Sequence, residues 1–211
     1  MSGTKNSTSV SYDYDEKAAS HADDIANRID DNGAFIGVFK RAQAVTAESG
    51  STGIKFEFEA PGGGSASFSL YGHRGDGSVI FGWNLIQAAM CILGLKGLKS
   101  EAGKVSVYDK DSKKSVEADG EVFPQLCNKA IGIVMQKELY TKDSGGETSR
   151  VNLYSFFHPE TRLTASEIRE KKTKPEKFEK IMKKLKTKDS RKPGAAEVAQ
   201  PSMGAPATGD Y

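Results

Sequence analysis

Histidine and cysteine are the side chains of this 211-residue chain best suited to metal binding or nucleophilic catalysis. The three histidines, His21, His73 and His158, are isolated and share no metal-ligand spacing with the cysteines or acids. Cys91 and Cys127 lie among apolar residues, without a neighbouring base that would activate a thiol. We therefore predict no catalytic residue, no metal ligand and no cofactor, in a chain that is not an enzyme.

Aromatic and basic residues recur together, and this combination is typical of single-stranded nucleic acid binding. A positive groove follows the phosphates, and each base that stacks on a ring contributes about 1–3 kcal/mol. In the segment RVNLYSFF, residues 150–157, strand alternation separates an apolar face from a mixed one that holds Arg150, Asn152, Tyr154 and Phe156. The residues predicted to bind single-stranded DNA are Tyr71, Arg74, Lys137, Tyr140, Arg150, Tyr154 and Phe156.

A structural role is the alternative for two of these rings. A helix predicted near the carboxyl end carries Phe178, Ile181 and Leu185 on one side, and that side needs a partner. Tyr154 and Phe156 could pack under this helix instead of facing solvent.

The net charge of +2 conceals a strong polarity along the chain. Residues 1–33 contain three basic and seven acidic residues, a net charge of −4. Residues 162–192 contain thirteen Lys or Arg and five Asp or Glu, a net charge of +8. Such a basic segment favours a polyanionic partner, single-stranded or duplex DNA, or masking by the acidic segment. Solvated helical faces without any partner are the alternative.

The apolar alternation predicts a scaffold made mainly of strands for these residues. Three strands come first, then a buried helix with Asn84 as N-cap and Gly94 as C-cap, then a small hairpin and two more strands. The predicted strands are 35–45, 54–59, 65–71, 104–108, 114–117, 130–140 and 150–157. A helix between the third and fourth strands of a five-stranded meander is the layout of an OB-fold, a small Greek-key barrel.

The predicted fold class is therefore mainly β with helices: an OB-fold-like five-stranded barrel with a buried helix between strands 3 and 4, extended by helices at both ends. Residues 33–160 form the barrel. Residues 1–32 are an acidic segment with a short helix, and residues 161–187 are a basic amphipathic helical arm. Residues 188–211 are rich in Pro, Gly and Ala and are predicted to be disordered. The arm could cover its own barrel, pair with a second copy or lie along a phosphate backbone.

Two stretches carry a resemblance to a known family: GIKFEFEAPGGGSASFSLYGHRGDGSVIFGWNLIQAAMCILGLKGLK and LCNKAIGIVMQKELYTKDSGGETSRVNLYSFFHPETRLTASEI. Over residues 33–168 the chain resembles the OB-fold single-stranded DNA-binding proteins of tailed bacteriophages. The resemblance implies a non-catalytic protein that coats single strands during phage replication or recombination, in the cytoplasm of the infected bacterial host. Replication or recombination proteins are implied partners. However, the acidic run that commonly precedes the terminal aromatic in this family is missing before Tyr211.

The leading hypothesis is thus a sequence-independent single-stranded DNA-binding protein, which forms homo-oligomers if the arm pairs between copies. A phage structural protein or protein–protein adaptor, with the barrel as scaffold, is the alternative. No apolar run approaches the ~20 residues needed to span a bilayer, so we expect no membrane partner.

Overall fold

The structure is a computed structural model, and it describes residues 28–109 and 111–191. These residues contain eight strands: β1 Gly33–Thr46, β2 Thr52–Glu59, β3 Ser65–His73, β4 Glu101–Asp109, β5 Lys114–Val122, β6 Ala130–Thr141, β7 Glu147–Phe157 and β8 Lys188–Ser190. They also contain three α-helices: α1 Phe81–Ile92, α2 Ala165–Arg169 and α3 Glu176–Lys184. A short 3₁₀ helix, Pro124–Leu126, precedes β6.

Strand β1 organises the sheet because it is long enough to pair with different neighbours along its length. Its first half pairs with β6, from Gly33 to Val38, and its second half pairs with β2, from Val38 to Thr46. A register shift between Phe39 and Arg41 marks a bulge where the partner changes. The strand order is β3-β2-β1-β5-β4, and β6 continues from β1 to β7 and β8. All pairings are antiparallel except the short parallel pairing of β6 with β8.

The predicted class, mainly β with a helix after the third strand, is confirmed. The predicted closure into a barrel is not found, because no ladder joins β3 to β7 in the described part of the chain. Helix α1 packs against both of these strands at the open side of the sheet. The predicted hairpin is present as β4 and β5, and each strand is longer than expected.

Phenylalanine rings fill the centre of the molecule. The rings of Phe39 and Phe56 lie 4.7 Å apart, and Phe68 stacks on Phe56 at 5.4 Å. Phe56 and Phe58 are fully buried, as the apolar alternation predicts. Burial of each such side chain contributes about 1.5–3 kcal/mol, so the rings hold the sheet and α1 together.

Helix α1 begins at Phe81, three residues before the predicted N-cap Asn84. Its start is set by docking on β3 and not by a side-chain cap. The backbone of Gly82 lies so close to the carbonyl oxygen of Tyr71 that a Cβ atom would collide there. The Ile80 N–H also donates to the carbonyl oxygen of Gly72 at 2.9 Å.

The predicted carboxyl-terminal helix is confirmed as α3, and it covers its own sheet. The Phe178 ring lies 4.7 Å from that of Phe157, and both pack with Val134. The prediction that disorder begins at Lys188 is wrong for residues 188–190, which form β8. The predicted acidic helix falls largely on residues 1–27, and the end of the tail on residues 192–211; both lie outside the described residues.

Candidate nucleic-acid interface

A buried carboxylate organises the face of β6 that the sequence marks as a binding surface. Glu138 is only 4% exposed and accepts four hydrogen bonds of 2.7–2.9 Å. Two come from Arg150 and Asn152 on β7, and two from Lys188 and Ser190 on β8. We call these five residues the Glu138 cluster. The hydrogen bonds from Lys188 and Ser190, aided by Arg150, outweigh burial and lower the pKa of Glu138 to about 2.

The structure brings two of the predicted binding residues, Tyr140 and Arg150, together beside this cluster. The guanidinium carbon of Arg150 lies 4.8 Å from the centre of the Tyr140 ring, a cation–π contact. The same guanidinium pairs with Glu138 at 2.9 Å. One face of the Tyr140 ring and the charge of Arg150 are therefore already used within the protein.

Acids balance the cations over this whole part of the sheet. Arg150 and Lys188 pair with Glu138, and Arg191 pairs with Asp189 and Glu147. The Arg191 guanidinium also holds the pKa of Asp189 at about 2. With three cations facing three carboxylates, this surface offers little net charge to a phosphate backbone.

The expected placement of Phe156 on an open face is wrong. Strand β7 contains a bulge, because Met135 pairs with Leu153 while the neighbouring Val134 pairs with Ser155. The extra residue, Tyr154, reverses the alternation that follows it. Phe156 consequently points into the core, where it is 1% exposed.

The same bulge places the neighbouring aromatic side chains in different environments. Phe157, expected on the apolar face with Val151, packs instead under α3 on the outer side of the sheet. The ring of Phe157 lies over Gly132, where a Cβ atom would clash with it. Tyr154 is 45% exposed and remains available to a ligand. Packing under the helix, the alternative role of Tyr154 and Phe156, is thus the role of Phe157.

Lys137 lies on the other side of the sheet from Tyr140. Its cross-strand partner is Val151, which packs against the core, whereas Glu138 and Tyr140 alternate to the outer side. The Lys137 N–H donates to the Asn32 side chain at 2.9 Å, and Asn32 in turn donates to Thr187 at 2.8 Å. Lys137 therefore does not share a surface with the tyrosine and arginine beside which it was predicted.

Tyr71 lies near the end of β3 and Arg74 just after it, and β3 forms no ladder with β6 or β7 in the described part of the chain. Strand β3 ends the strand order on one side, and β6 continues from β1 on the other. Tyr71 is half-buried beside α1, and Arg74 is exposed in the turn before that helix. The ring of His73 lies 4.9 Å from that of Trp83. The seven predicted residues therefore do not form one continuous wall.

Sequence reasoning missed the most exposed ring beside this turn. Phe81 is 72% exposed at the first residue of α1, beside Gly82, whose backbone rests on β3. The signal in the sequence was the apolar run VIFGW, which does not by itself show which of its rings is buried.

The strongest positive surface lies on residues 169–186, which we call the lysine arm. Nine cations and three acids give it a net charge of +6: Arg169, Lys171, Lys172, Lys174, Lys177, Lys180, Lys183, Lys184 and Lys186 against Glu170, Glu176 and Glu179. Within the described residues, none of the nine forms an ion pair. The apolar side of α3 is docked on the sheet, so these cations face outward.

A second buried carboxylate, Glu167, sets the shape of the lysine arm. It accepts hydrogen bonds from the Thr164 N–H and hydroxyl in a capping box that starts α2. It also accepts the N–H of Lys177 at 2.5 Å, which joins α2 to α3. Burial alone would raise the pKa of Glu167, but the N–H groups of Thr164 and Lys177 outweigh it and hold that pKa below its ordinary value.

Comparison with known proteins assigns the chain to no family. No protein-family model matches the chain, and no curated protein matches it. The described residues bring no three His, Cys, Asp or Glu side chains together as metal ligands. No helix in this part of the chain is long and apolar enough to cross a bilayer.

Proposed function

We propose that the protein binds single-stranded DNA without regard to base sequence and coats it. The observation that carries the proposal is the lysine arm, a segment of net charge +6 whose cationic side chains form no ion pair within the described residues. Each cation that contacts a phosphate releases a counterion, which gives affinity that is independent of sequence and sensitive to salt.

An exposed ring, one residue along the chain from a cavity that the lysine arm helps to line, favours single strands over duplex. Tyr154 is 45% exposed, and the adjacent Ser155 lines the same cavity as Arg169 and Lys177 of the arm. A strand whose phosphates follow these cations can stack an unpaired base on Tyr154. Bases within a duplex are paired and stacked, so they have no free face for this ring.

The fold proposed for this role is an OB-fold with one open seam. Strands β1, β2, β3, β6 and β7, with α1 after the third, follow the predicted OB order. Strand β1 pairs with both β2 and β6, and β6 pairs with β7. These pairings match the Greek-key arrangement of an OB-fold in every strand pair except the missing one between β3 and β7. The β4–β5 hairpin is then an insertion, and α1 fills the side where β3 and β7 are not joined.

The bacteriophage resemblance supplies the proposed setting, which is phage replication or recombination in the cytoplasm of a bacterial host. Proteins of those processes, and duplex DNA through the lysine arm, are the proposed further partners. The proposal assigns no catalytic step to the chain.

A titration of fluorescent oligo-dT tests this proposal. An oligonucleotide of about 20 nucleotides exceeds the ~4–16 that one OB-fold covers. We expect binding that weakens steeply between about 50 and 200 mM salt, and a preference for oligo-dT over a duplex of equal length. Absence of oligo-dT binding at the lower salt would refute the proposal, and a preference for duplex would reassign the protein to duplex DNA.

A protein–protein adaptor is the second candidate function, and the β4–β5 hairpin favours it. Val107 and Val116 pair across the hairpin and are 46% and 43% exposed. They extend an apolar stripe that begins at the buried Val105. Sedimentation of the full chain tests this function: self-association that Val107→Lys abolishes, in a protein without oligo-dT affinity, would favour the adaptor.

A further inference from the structure

A cavity of about 400 Å³ lies where α1, α2 and α3 meet the end of β7. It opens beside the seam at which β3 and β7 remain unpaired, and α1 forms one of its walls. Its volume falls within the ~300–1,000 Å³ typical of small-molecule sites. Neither base stacking on Tyr154 nor phosphate binding by the outward lysines uses this cavity, so it can hold a further part of a ligand.

One wall of the cavity is positively charged. Arg169 from α2 and Lys177 from α3 both line it, and neither forms an ion pair with the carboxylates that the structure describes. The two elements are held together by Glu167, which accepts the N–H of Lys177. The Lys177 ammonium donates to the Ser166 hydroxyl at 2.9 Å, so its position at the cavity is defined. Two cations on one wall, of which Lys177 is held in place, suit a phosphate group.

Helix α1 contributes two side-chain amides to the lining of the cavity. Asn84 and Gln87 are three residues apart on α1, which places them on the same side of the helix. Each amide offers a donor and an acceptor, the pairing that asparagine and glutamine use to contact base edges. The remaining lining includes the apolar Ala88, Phe156 and Ile181, against which the flat face of a base can pack.

We propose that this cavity holds one nucleotide of the bound single strand. The phosphate of that nucleotide lies between Arg169 and Lys177, and its base edge meets the amides of Asn84 and Gln87. The inference rests on the proposed function and adds to it: one extruded base is read by hydrogen bonds, while the rest of the strand is held without regard to sequence. Bases other than the preferred one leave an amide group unpaired and bind less tightly at this position.

The test compares variants of the full chain by oligo-dT titration at one salt concentration. Lys177→Ala removes a cation that lines the cavity, and Lys180→Ala removes one from the same helix that does not. We expect Lys177→Ala to weaken binding about tenfold and Lys180→Ala about threefold, as for one phosphate contact at low salt. Equal effects of the two substitutions would overturn the cavity assignment.

The amide wall is tested with a base-specific control. We expect Asn84→Ala with Gln87→Ala to weaken oligo-dT binding about fivefold, and to leave binding of an abasic oligonucleotide of equal length unchanged. Both residues are exposed, so the substitutions spare the core. Unchanged oligo-dT affinity in this double variant would show that the cavity binds no base and is only a space between packed helices. If the wild-type chain binds no oligo-dT at all, it is the proposed function that fails.

A thiol in the cavity gives a readout that does not depend on affinity. Cys91 lines the cavity, and Cys127, the other cysteine of the chain, does not. Bound oligo-dT should slow alkylation of Cys91, followed by mass spectrometry of its peptide, and leave that of Cys127 unaltered. Equal Cys91 alkylation with and without saturating oligo-dT would contradict an occupied cavity.

Discussion

The outer face of β6 and β7 and the lysine arm contain the same cationic residue types but differ in what balances them. In the Glu138 cluster, Arg150 and Lys188 share one buried carboxylate, and Arg191 beside it has two acidic partners. In the lysine arm, nine cations face solvent without an ion pair among the described residues.

This difference separates charges that hold the fold from charges that are free to bind a ligand. A cation tied to a buried carboxylate must break that pair before it contacts a phosphate, and the broken pair leaves a buried charge behind. An exposed lysine without a partner loses only counterions and some side-chain freedom. A ring beside a basic residue in the sequence is therefore weak evidence for a binding site until the acid that pairs with the base is located.

Neutralising the lysine arm should give the largest effect. We expect Lys180→Gln with Lys183→Gln and Lys184→Gln to weaken oligo-dT binding on the order of 30-fold at about 0.1 M salt. The slope of log K against log salt should fall by about 2, since each phosphate contact to a single strand contributes about 0.7.

The matched control for this triple variant removes three exposed lysines outside the arm: Lys96, Lys99 and Lys129. The change in net charge is the same in both variants. An equal loss of affinity in the control would show that net charge, and not the lysine arm, governs binding.

Removing the carboxylate of the Glu138 cluster should mainly destabilise the fold. Glu138→Gln keeps the side-chain shape but leaves Arg150 and Lys188 without their partner, so we expect the free energy of unfolding to fall by about 2 kcal/mol. Urea denaturation measures this change. Glu147→Gln, which breaks a half-exposed pair with Arg191, serves as control and should cost less than about 1 kcal/mol.

The contribution of Glu138 should also depend on pH. Its pKa is lowered from 4.5 to about 2 in the folded protein, so the unfolded chain takes up the proton first as the pH falls. The stabilisation is thus fully present above about pH 4.5 and is lost as the pH falls through about 2. The stability difference between wild type and Glu138→Gln should shrink over this interval. A constant difference would contradict a charged Glu138 as the cause.

Removing the exposed ring should affect binding but not stability. We expect Tyr154→Ala to weaken oligo-dT binding by about 1–2 kcal/mol, the contribution of one stacked base. The free energy of unfolding should change by less than about 0.5 kcal/mol, because the side chain is half-exposed. Tyr108→Ala, an exposed ring on the β4–β5 hairpin, is the control. Equal losses from both would mean that Tyr154 is not a specific stacking site for the bound strand.

Arg150→Ala should give the smallest effect on binding among these substitutions, and it tests directly whether a cation paired within the protein also binds DNA. Because its guanidinium is held by Glu138 and Tyr140, we expect less than a threefold loss of oligo-dT affinity. The free energy of unfolding should fall by about 1 kcal/mol. A loss of affinity as large as that of the lysine-arm triple variant would place Arg150 at the interface after all.

Local patterns in the sequence were sufficient for most elements of the fold. Alternation predicted β2 and β3 within a few residues, because side chains of a strand half-buried in a core must alternate. An apolar run predicted β6, which is buried on both faces over residues 131–135. The apolar spacing of Phe178, Ile181 and Leu185 likewise predicted α3. The start of α1 was missed by four residues, since the N-cap is Ile80 and not Asn84 and the start depends on Gly82 resting against β3.

The candidate site was less predictable, because it depends on residues far apart in the chain. The bulge at Tyr154 arises from the register of β7 on β6, and it moved Phe156 from the expected open face into the core. The cavity lined by Gln87 and Lys177 joins elements that are 90 residues apart in the chain. No spacing rule relates such positions.

The sequence by itself determined the mainly β class, the helix after the third strand and the concentration of positive charge near the carboxyl end. These follow from composition and short-range periodicity, which act within a few residues. Only the tertiary structure decided which cations are paired, which ring stays exposed and where the sheet remains open. Burial and ion pairing depend on neighbours brought together by the fold, and one inserted residue in a strand is enough to exchange its inner and outer faces.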